Sequence, residues 1–129
     1  MFKAVNVFSS FAVKDLKKAK DFYSKSLGLK VAEEKQMGLL NLELGKGNRV
    51  MVYPKPDHKP ANYTMLNLVV KNIDQAVADL TKRGVKFEKY KGFGQEPNGI
   101  ARGGPGRGPD IAWLKDPSGN IVAVLEDSK

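Results

Sequence analysis

The fold is decided by a stretch of sequence that the chain carries twice. Residues 8–31 read FSSFAVKDLKKAKDFYSKSLGLKV, and residues 65–87 read MLNLVVKNIDQAVADLTKRGVKF. In each copy an extended stretch leads to an Asx residue, Asp15 or Asn72, and then to a helical pattern that a glycine ends. Asx side chains cap helix N-termini, and glycine adopts the left-handed conformation that ends many helices. The repeat therefore predicts two equivalent structural units around one shared space.

Each copy is followed by further extended segments, so the predicted order is β-α-β-β-β in both halves. Segment 54–61, PKPDHKPA, is rich in proline and predicts a linker between a first module, 1–53, and a second module, 62–126. The glycine-rich segment 102–109, RGGPGRGP, predicts an irregular loop that acts as a mobile flap. The predicted strands of the first module are 5–13, 29–33, 39–44 and 49–53. The second module repeats the order with one further extended segment; its five segments are 64–70, 85–90, 99–102, 110–114 and 121–125.

Composition limits the classes of function that the chain can have. Its 129 residues, 41% hydrophobic and 28% charged, are typical of one soluble globular domain. No apolar run approaches the ~20 residues that span a bilayer, so no membrane partner is expected. The net charge of +8 is spread over helix faces and turns without interleaved aromatic residues, which argues against nucleic-acid binding. The absence of cysteine and of an apolar N-terminal leader predicts a cytoplasmic protein.

Alternation along the strands divides their side chains between two faces. Phe11 and Val13 are predicted to pack beneath the first helix, and the opposite faces of both modules are predicted to line a concave surface. That surface can bind a small molecule, or it can be filled as ordinary core; Trp113 can likewise stack on a planar ligand or fill core. The predicted ligand-binding residues are Phe8, Ser10, Arg49, Met51, Tyr53, Met65, Asn67, Trp113 and Ala123.

Several short motifs, taken in order, resemble those of the vicinal oxygen chelate superfamily, which includes glyoxalase I, extradiol dioxygenases and bleomycin-resistance proteins. The motifs are VKDL at 13–16 with Phe22 and Tyr23 after it, RGV at 83–85, and DPSGN at 116–120. The resemblance covers essentially the whole chain. It implies an α+β, glyoxalase-like fold in which two tandem βαβββ modules form a half-open curved sheet, or cup, with the helices outside. It also implies a homodimer.

Enzymes of that superfamily hold a divalent metal with one side chain from each of four strands. The resemblance places these positions at Phe8, Met51, Met65 and Ala123, and none of the four is a hard metal donor. The single histidine, His58, falls in the predicted linker, and Glu126 lies three residues beyond the fourth position, where it is interpreted as a surface carboxylate. No metal and no cofactor are therefore expected.

Three functions remain open from the sequence. The favoured one is a metal-free protein that binds and sequesters a small organic molecule, anionic or aromatic, as bleomycin-resistance proteins do. The alternatives are an enzyme of the lyase or dioxygenase type with atypical metal ligands, and an enzyme that uses Tyr53 or Asp110 in metal-free acid–base chemistry. The absence of donors at the metal positions favours a protein that is not an enzyme.

Overall fold

The computed structural model describes residues 1–127, which divide into two compact units, Met1–His58 and a second that begins at Lys59. Each unit combines a mixed β-sheet with a helix from the repeated stretch. This arrangement confirms the predicted α+β class. Among the described residues, no helix is long and apolar enough to cross a membrane.

The first unit has a four-stranded sheet with strand order β1-β4-β3-β2. Strand β1 runs parallel to β4, and the other neighbours are antiparallel. The elements are β1 (Ser9–Val13), α1 (Leu16–Asp21), β2 (Lys30–Glu34), β3 (Leu39–Leu44) and β4 (Asn48–Pro54).

Helix α1 begins and ends where the sequence predicts. The Asp15 carboxylate accepts a hydrogen bond from the Lys18 backbone N–H at 3.0 Å, which satisfies one of the free donors of the first turn. The helix continues as a π-helical turn over Phe22–Ser26. It then ends at Gly28, whose φ of 71° is one that glycine adopts without strain.

The buried face of the first sheet also agrees with the prediction. The Phe11 ring lies 5.7 Å from the ring of the fully buried Tyr23, so Phe11 does pack beneath the helix. On β4, Val50 and Val52 are buried. The sheet therefore presents one apolar face to the helix and a more polar face on the other side.

The first predicted strand is too long at its N-terminal end. Residues 5–8 lie outside β1, which begins at Ser9 opposite Val50. Extending that register by four residues would run past Asn48, where β4 begins, into the preceding turn. No backbone of β4 remains opposite residues 5 and 6, so alternation alone overestimates the strand.

The second unit has a three-stranded sheet with strand order β5-β7-β6, which matches β1-β4-β3 of the first unit and has no counterpart of the edge strand β2 among the described residues. Strand β5 is parallel to β7, and β6 is antiparallel to β7. The elements are β5 (Thr64–Val70), α2 (Ile73–Lys82), β6 (Ile111–Lys115) and β7 (Ile121–Glu126).

Two strands predicted for the second unit are reduced to isolated bridges in the described structure. Segment 85–90 pairs only through Phe87 with Leu114, and segment 99–102 only through Ala101 with Ile111. The Gln95 side chain supplies the physical reason. It accepts from the Tyr90 N–H at 2.7 Å and donates to the carbonyls of Glu88 and Gly99 at 2.8 and 2.7 Å, so it occupies backbone groups that a strand would use.

Helix α2 has a second cap that the sequence analysis missed. Asn72 accepts from the Gln75 N–H at 3.0 Å, as predicted. In addition, Glu126 at the end of β7 accepts from the Ile73 N–H at 3.0 Å. Its interpretation as a surface carboxylate is therefore wrong: the negative charge binds the helix N-terminus, where free N–H groups favour it.

Candidate functional site

A cavity of about 290 Å³ opens in the second unit. Its walls come from the start of β5, from β6 and β7, and from the irregular segment that follows Phe87. The lining residues are Asn62, Tyr63, Thr64, Tyr90, Phe93, Trp113 and Ile121. None of these residues carries a charge, so the described wall is aromatic and apolar with a few neutral polar groups.

Three aromatic rings form one contiguous cluster in this wall. Trp113 projects from β6, with its ring centroid 5.1 Å from that of Phe93 and 5.6 Å from that of Tyr90. Tyr90 and Phe93 meet edge to face at 6.1 Å. Such tilted and edge-to-face pairs are each worth about 0.5–1.5 kcal/mol beyond the area that they bury. The cluster therefore fixes the rings in place and presents them to the cavity.

Gln95 holds the segment that carries two of these rings. Its three hydrogen bonds to the backbone of Glu88, Tyr90 and Gly99 close the turn in which Phe93 lies. The Glu88 N–H also donates to the Trp113 carbonyl at 2.8 Å, which joins the segment to β6. This part of the wall is thus an irregular segment that the hydrogen bonds of one amide side chain hold in place.

A β-bulge changes which residues of β5 reach the cavity. Thr64 pairs with Ile121 while Leu66 pairs with Val122, so Met65 is the extra residue between them. Because Thr64 lies beside Ile121, Thr64 lines the cavity, and Met65 is absent from its wall. Regular alternation predicts Met65 at that place, and the bulge interrupts the alternation. A ligand contact for Met65 stays a prediction.

The other predicted residues of the second unit fall in one row of the sheet. Asn67 pairs with Ala123, and Ala123 pairs with Trp113. Trp113 lines the cavity, whereas Ala123 is fully buried and Asn67 is exposed. A ligand contact for Asn67 and Ala123 stays a prediction.

The predicted residues of the first unit lie on the face away from α1. The Arg49 guanidinium lies 4.1 Å above the Phe8 ring and donates to the Asn41 side chain at 2.9 Å. Ser10 pairs with Met51, and Tyr53 is exposed two residues further along β4. The structure thus brings Phe8 and Arg49 into contact, and their binding of a ligand stays a prediction.

The predicted ligand-binding residues include Trp113 of the cavity wall and lack its other six residues: Asn62, Tyr63, Thr64, Tyr90, Phe93 and Ile121. A signal for two of them was present, because segment 90–94, YKGFG, places two aromatic rings beside glycines that must turn the chain. Assigning segment 85–90 to a regular strand hid that signal. The bulge that brings in Thr64 leaves no comparable mark in the sequence.

The positions that hold metal in superfamily enzymes do not fit a metal in this chain. Phe8, Met51, Met65 and Ala123 offer no oxygen or nitrogen side-chain donor. The guanidinium over Phe8 adds a positive charge that opposes a cation there. Within residues 1–127, no group of three or more His, Cys, Asp or Glu side chains is placed to hold an ion.

Hydrogen bonds hold the glycine-rich segment 102–109 in a hairpin. Gly104 pairs with Gly108, and the Arg107 N–H donates to the Gly104 carbonyl at 2.9 Å. The Asp110 carboxylate accepts from the Gly103 N–H at 2.7 Å, so Asp110 acts as a turn-capping residue. Gly103 is required because a Cβ there would lie 1.9 Å from the Gly108 carbonyl oxygen.

Arg102 is held by carboxylates and is not presented to an anionic ligand. Its guanidinium donates to Glu96 at 2.9 Å, to Asp110 at 3.1 Å and to Asp74 at 3.2 Å. The hydrogen bond from Arg102 is the main cause that lowers the pKa of Asp74 and of Glu96. The pKa of Asp110 is lowered first by the Gly103 N–H and then by Arg102. Arg102 thus ties the hairpin to α2.

This network predicts an acid-dependent loss of stability. Carboxyl groups whose pKa is lowered in the folded state contribute stability above their unfolded pKa, about 4, and that contribution is lost as pH falls through the folded value. We expect the melting temperature to decrease as the pH is lowered past about 4. The decrease should be smaller in Arg102→Met, which lacks this contribution at every pH. Thermal unfolding followed by circular dichroism at neutral and acid pH measures the difference. Arg107→Met, an exposed arginine of the same hairpin, should behave like the wild type; an identical acid response in Arg102→Met would contradict the prediction.

The chain was compared with known families and structures. The sequence model of the Glyoxalase/Bleomycin resistance protein/Dioxygenase superfamily matches residues 5–124. No match was found among functionally curated proteins.

Solved structures share the fold over nearly the whole chain. An antibiotic binding protein from Streptomyces is 23% identical with a TM-score of 0.68, and the alignment covers 98% of this chain and 100% of that one. A superfamily member from Sphaerobacter thermophilus is 26% identical with a TM-score of 0.67, over 95% and 98% of the two chains. A glyoxalase/bleomycin resistance protein from Catenulispora acidiphila is 23% identical with a TM-score of 0.66, over 96% and 99%.

Proposed function

Since the chain belongs to the Glyoxalase/Bleomycin resistance protein/Dioxygenase superfamily, we propose that it is a metal-free protein that binds and sequesters a small planar aromatic molecule. The observation that carries this proposal is the cavity of about 290 Å³ in the second unit, walled by Tyr63, Tyr90, Phe93 and Trp113. Apolar, aromatic walls with a few polar groups are typical of small-molecule sites. Flat rings offer flat ligands offset-stacked or edge-to-face contacts.

The uncharged wall favours a neutral ligand over an anionic one. Transfer of an ionised group into a site without a partner is strongly unfavourable. Arg49, the cation among the predicted ligand-binding residues, already contacts Phe8 and Asn41. We therefore propose a neutral aromatic ligand, with an anionic ligand as the alternative.

Two further arguments support a binder over an enzyme. The structural relative from Streptomyces is an antibiotic binding protein. Asp110, a candidate for acid–base chemistry, is engaged by Gly103 and Arg102, and its pKa is lowered mainly by the Gly103 N–H, which makes it a weak base. The alternative is an enzyme of the lyase or dioxygenase type with atypical metal ligands.

Titration with naphthalene, a neutral planar probe, tests the proposal. We expect saturable binding by calorimetry and a rise in melting temperature, because a ligand that binds the folded state stabilises it by RT ln(1 + [L]/Kd). The control ligand is 1-adamantanol, which is apolar but globular and should bind far more weakly. If both compounds bind equally well, or if neither binds, the proposed site for planar aromatic molecules is contradicted.

Elemental analysis after incubation with zinc, nickel, manganese and iron tests the metal-free part. We expect only substoichiometric metal that dialysis removes, because the four superfamily positions lack suitable donors. Tight uptake of one metal ion per chain would favour the enzyme alternative instead.

We also propose that the protein is a homodimer. The support is a segment, residues 2–7, that exposes apolar side chains, with Phe2 90% and Val7 87% exposed. Exposed apolar clusters are typical of association sites. Light scattering should give the mass of two chains for the wild type and of one chain for Val5→Lys/Val7→Lys. Met37→Lys, a change at an exposed apolar side chain elsewhere, should leave the dimer intact; a monomeric wild type would refute the proposal.

A further inference from the structure

The cavity of the second unit has a polar side as well as an aromatic one. Asn62 and Thr64, at the start of β5, are the lining residues whose side chains are polar and lack a ring. We call these two residues the polar pair. The Tyr90 hydroxyl does not add to them, because it is fully buried and Tyr90 presents only its ring to the cavity. The described wall is thus aromatic and apolar except at the polar pair and the exposed Tyr63.

Strand pairing places Thr64 on the same face of the sheet as Trp113. Thr64 lies beside Ile121, and Ala123, two residues further along β7, lies beside Trp113. Residues two apart on a strand point to the same face. Strands β5 and β6 flank β7, so two strand spacings, about 10 Å, separate their backbones. A planar molecule of two fused rings that lies over β7 can therefore touch the aromatic rings and the polar pair together.

The fold does not use the side chains of the polar pair. Neither side chain makes a hydrogen bond within residues 1–127. Asn62 is exposed, and Thr64 is half-buried with a hydroxyl that is not among the fully buried unpaired atoms, so both can be reached from outside. Gln95, by contrast, uses its whole amide on the backbone of its own segment. The polar pair therefore offers donors and acceptors that solvent or a ligand can satisfy.

A ligand that covers the polar pair displaces the water bound to it. Covering a polar group without giving it a new partner is unfavourable, so a ligand with an apolar edge at this place binds less well. The Asn62 amide has both a donor and an acceptor, and the Thr64 hydroxyl can act as either. The polar pair therefore favours a ligand whose edge also carries a donor next to an acceptor.

We propose that Asn62 and Thr64 recognise the edge of the ligand, and that the ligand is a neutral planar aromatic lactam, with a ring N–H beside a carbonyl group. This inference rests on the proposed function. The aromatic part of the ligand lies against Phe93 and Trp113. Its N–H and carbonyl pair with the Asn62 amide, and the Thr64 hydroxyl donates to the carbonyl oxygen. Neither side of this contact carries a net charge, in keeping with the uncharged wall.

Quinolin-2-one and naphthalene form a matched pair of probes for this contact. Both are planar molecules of two fused rings, and quinolin-2-one adds a neutral lactam edge. Each probe is titrated by calorimetry into the wild type, Asn62→Leu and Thr64→Val, two changes that nearly keep side-chain volume and remove the hydrogen-bonding groups. Comparing the two probes in each variant forms a double-difference cycle, which cancels their different hydration. Thr81→Val is the matched control, because Thr81 is exposed on α2 and does not line the cavity.

We expect the variants to move the two affinities in different directions. Asn62→Leu should weaken quinolin-2-one about tenfold and Thr64→Val about threefold, the range of one or two neutral hydrogen bonds. Naphthalene should bind both variants as well as the wild type or up to about threefold more tightly, because it no longer covers unpaired polar groups. Thr81→Val should change neither affinity.

The outcomes separate this inference from the proposed function. If both probes bind the wild type and the variants change both affinities equally, or change neither, recognition by the polar pair is refuted while the aromatic site stands. If neither probe binds the wild type, the aromatic site itself is refuted and the inference falls with it. A loss of affinity confined to quinolin-2-one in Asn62→Leu and Thr64→Val, absent from Thr81→Val, supports the inference.

Discussion

Replacing Trp113 by alanine should weaken naphthalene binding strongly and destabilise the second unit. The indole contacts Tyr90 and Phe93 and forms part of the cavity wall, so its loss removes ring contacts to the ligand and support for the two remaining rings. We expect affinity to fall at least tenfold, as when a central aromatic residue of a binding site is truncated. Truncation of a buried Trp costs about 3–5 kcal/mol, and the value here should lie toward the lower end because Trp113 is half-buried.

Two control variants separate loss of the site from loss of the fold. Trp113→Phe keeps an aromatic ring and should retain part of the affinity. Phe22→Ala removes a half-buried ring of the first unit that contacts Tyr23, so it should lower stability while leaving naphthalene affinity unchanged. Calorimetric titration and urea unfolding measure the two effects. Wild-type affinity in Trp113→Ala would place the ligand elsewhere.

Replacing Asp116 by alanine should produce the largest loss of stability. Asp116 is only 4% exposed, and it accepts hydrogen bonds from the N–H groups of Ser118 and Asn120 at 2.8 and 2.9 Å. Its second oxygen accepts from the Asn120 side-chain amide at 2.9 Å. Hydrogen bonds to charged groups contribute about 1.5–3 kcal/mol each, and an unpaired buried donor costs a further 1–3 kcal/mol. Because these terms are not additive, we expect a net loss of about 3–5 kcal/mol.

Urea unfolding measures this loss, and two variants calibrate it. Asp116→Asn keeps one acceptor oxygen but turns its own amide group toward the Asn120 amide. Its stability should therefore lie between those of the wild type and Asp116→Ala. Asp57→Ala removes an exposed carboxylate that is paired with Lys55, and it should leave the stability close to that of the wild type because exposed ion pairs contribute little. If Asp116→Ala were as mild as Asp57→Ala, the turn would not depend on its carboxylate.

The sequence predicts those parts of the fold that depend on local chemistry. Asp15 and Asn72 cap their helices because an Asx side chain at that place can accept the free N–H groups, whatever the tertiary surroundings. Strand β3 has the predicted bounds because apolar alternation continues to its end, and β5 has the predicted bounds although a bulge interrupts its alternation. The repeated topology follows from the repeated stretch.

What the sequence does not predict depends on single contacts between distant residues. The sequence of segment 85–90 predicts a strand, but hydrogen bonds with the Gln95 side chain occupy backbone groups that strand pairing would use. Alternation along β5 assigns a face to Met65, but the extra residue of the bulge shifts the register there. The sequence shows that Arg102 belongs to a glycine-rich segment, but only the folded chain brings Asp74 beside it. The candidate site was therefore predicted at Trp113 and missed at Tyr90.

The guanidinium of Arg49 over the Phe8 ring has a consequence for engineering. Histidine or glutamate placed at positions 8, 51, 65 and 123 would still leave a fixed cation next to the first new ligand, and repulsion between like charges would weaken the capture of a divalent ion. Position 65 would, in addition, start from an irregular backbone. Introducing donors at these positions would thus have to be combined with replacement of Arg49 and with removal of the extra residue in β5.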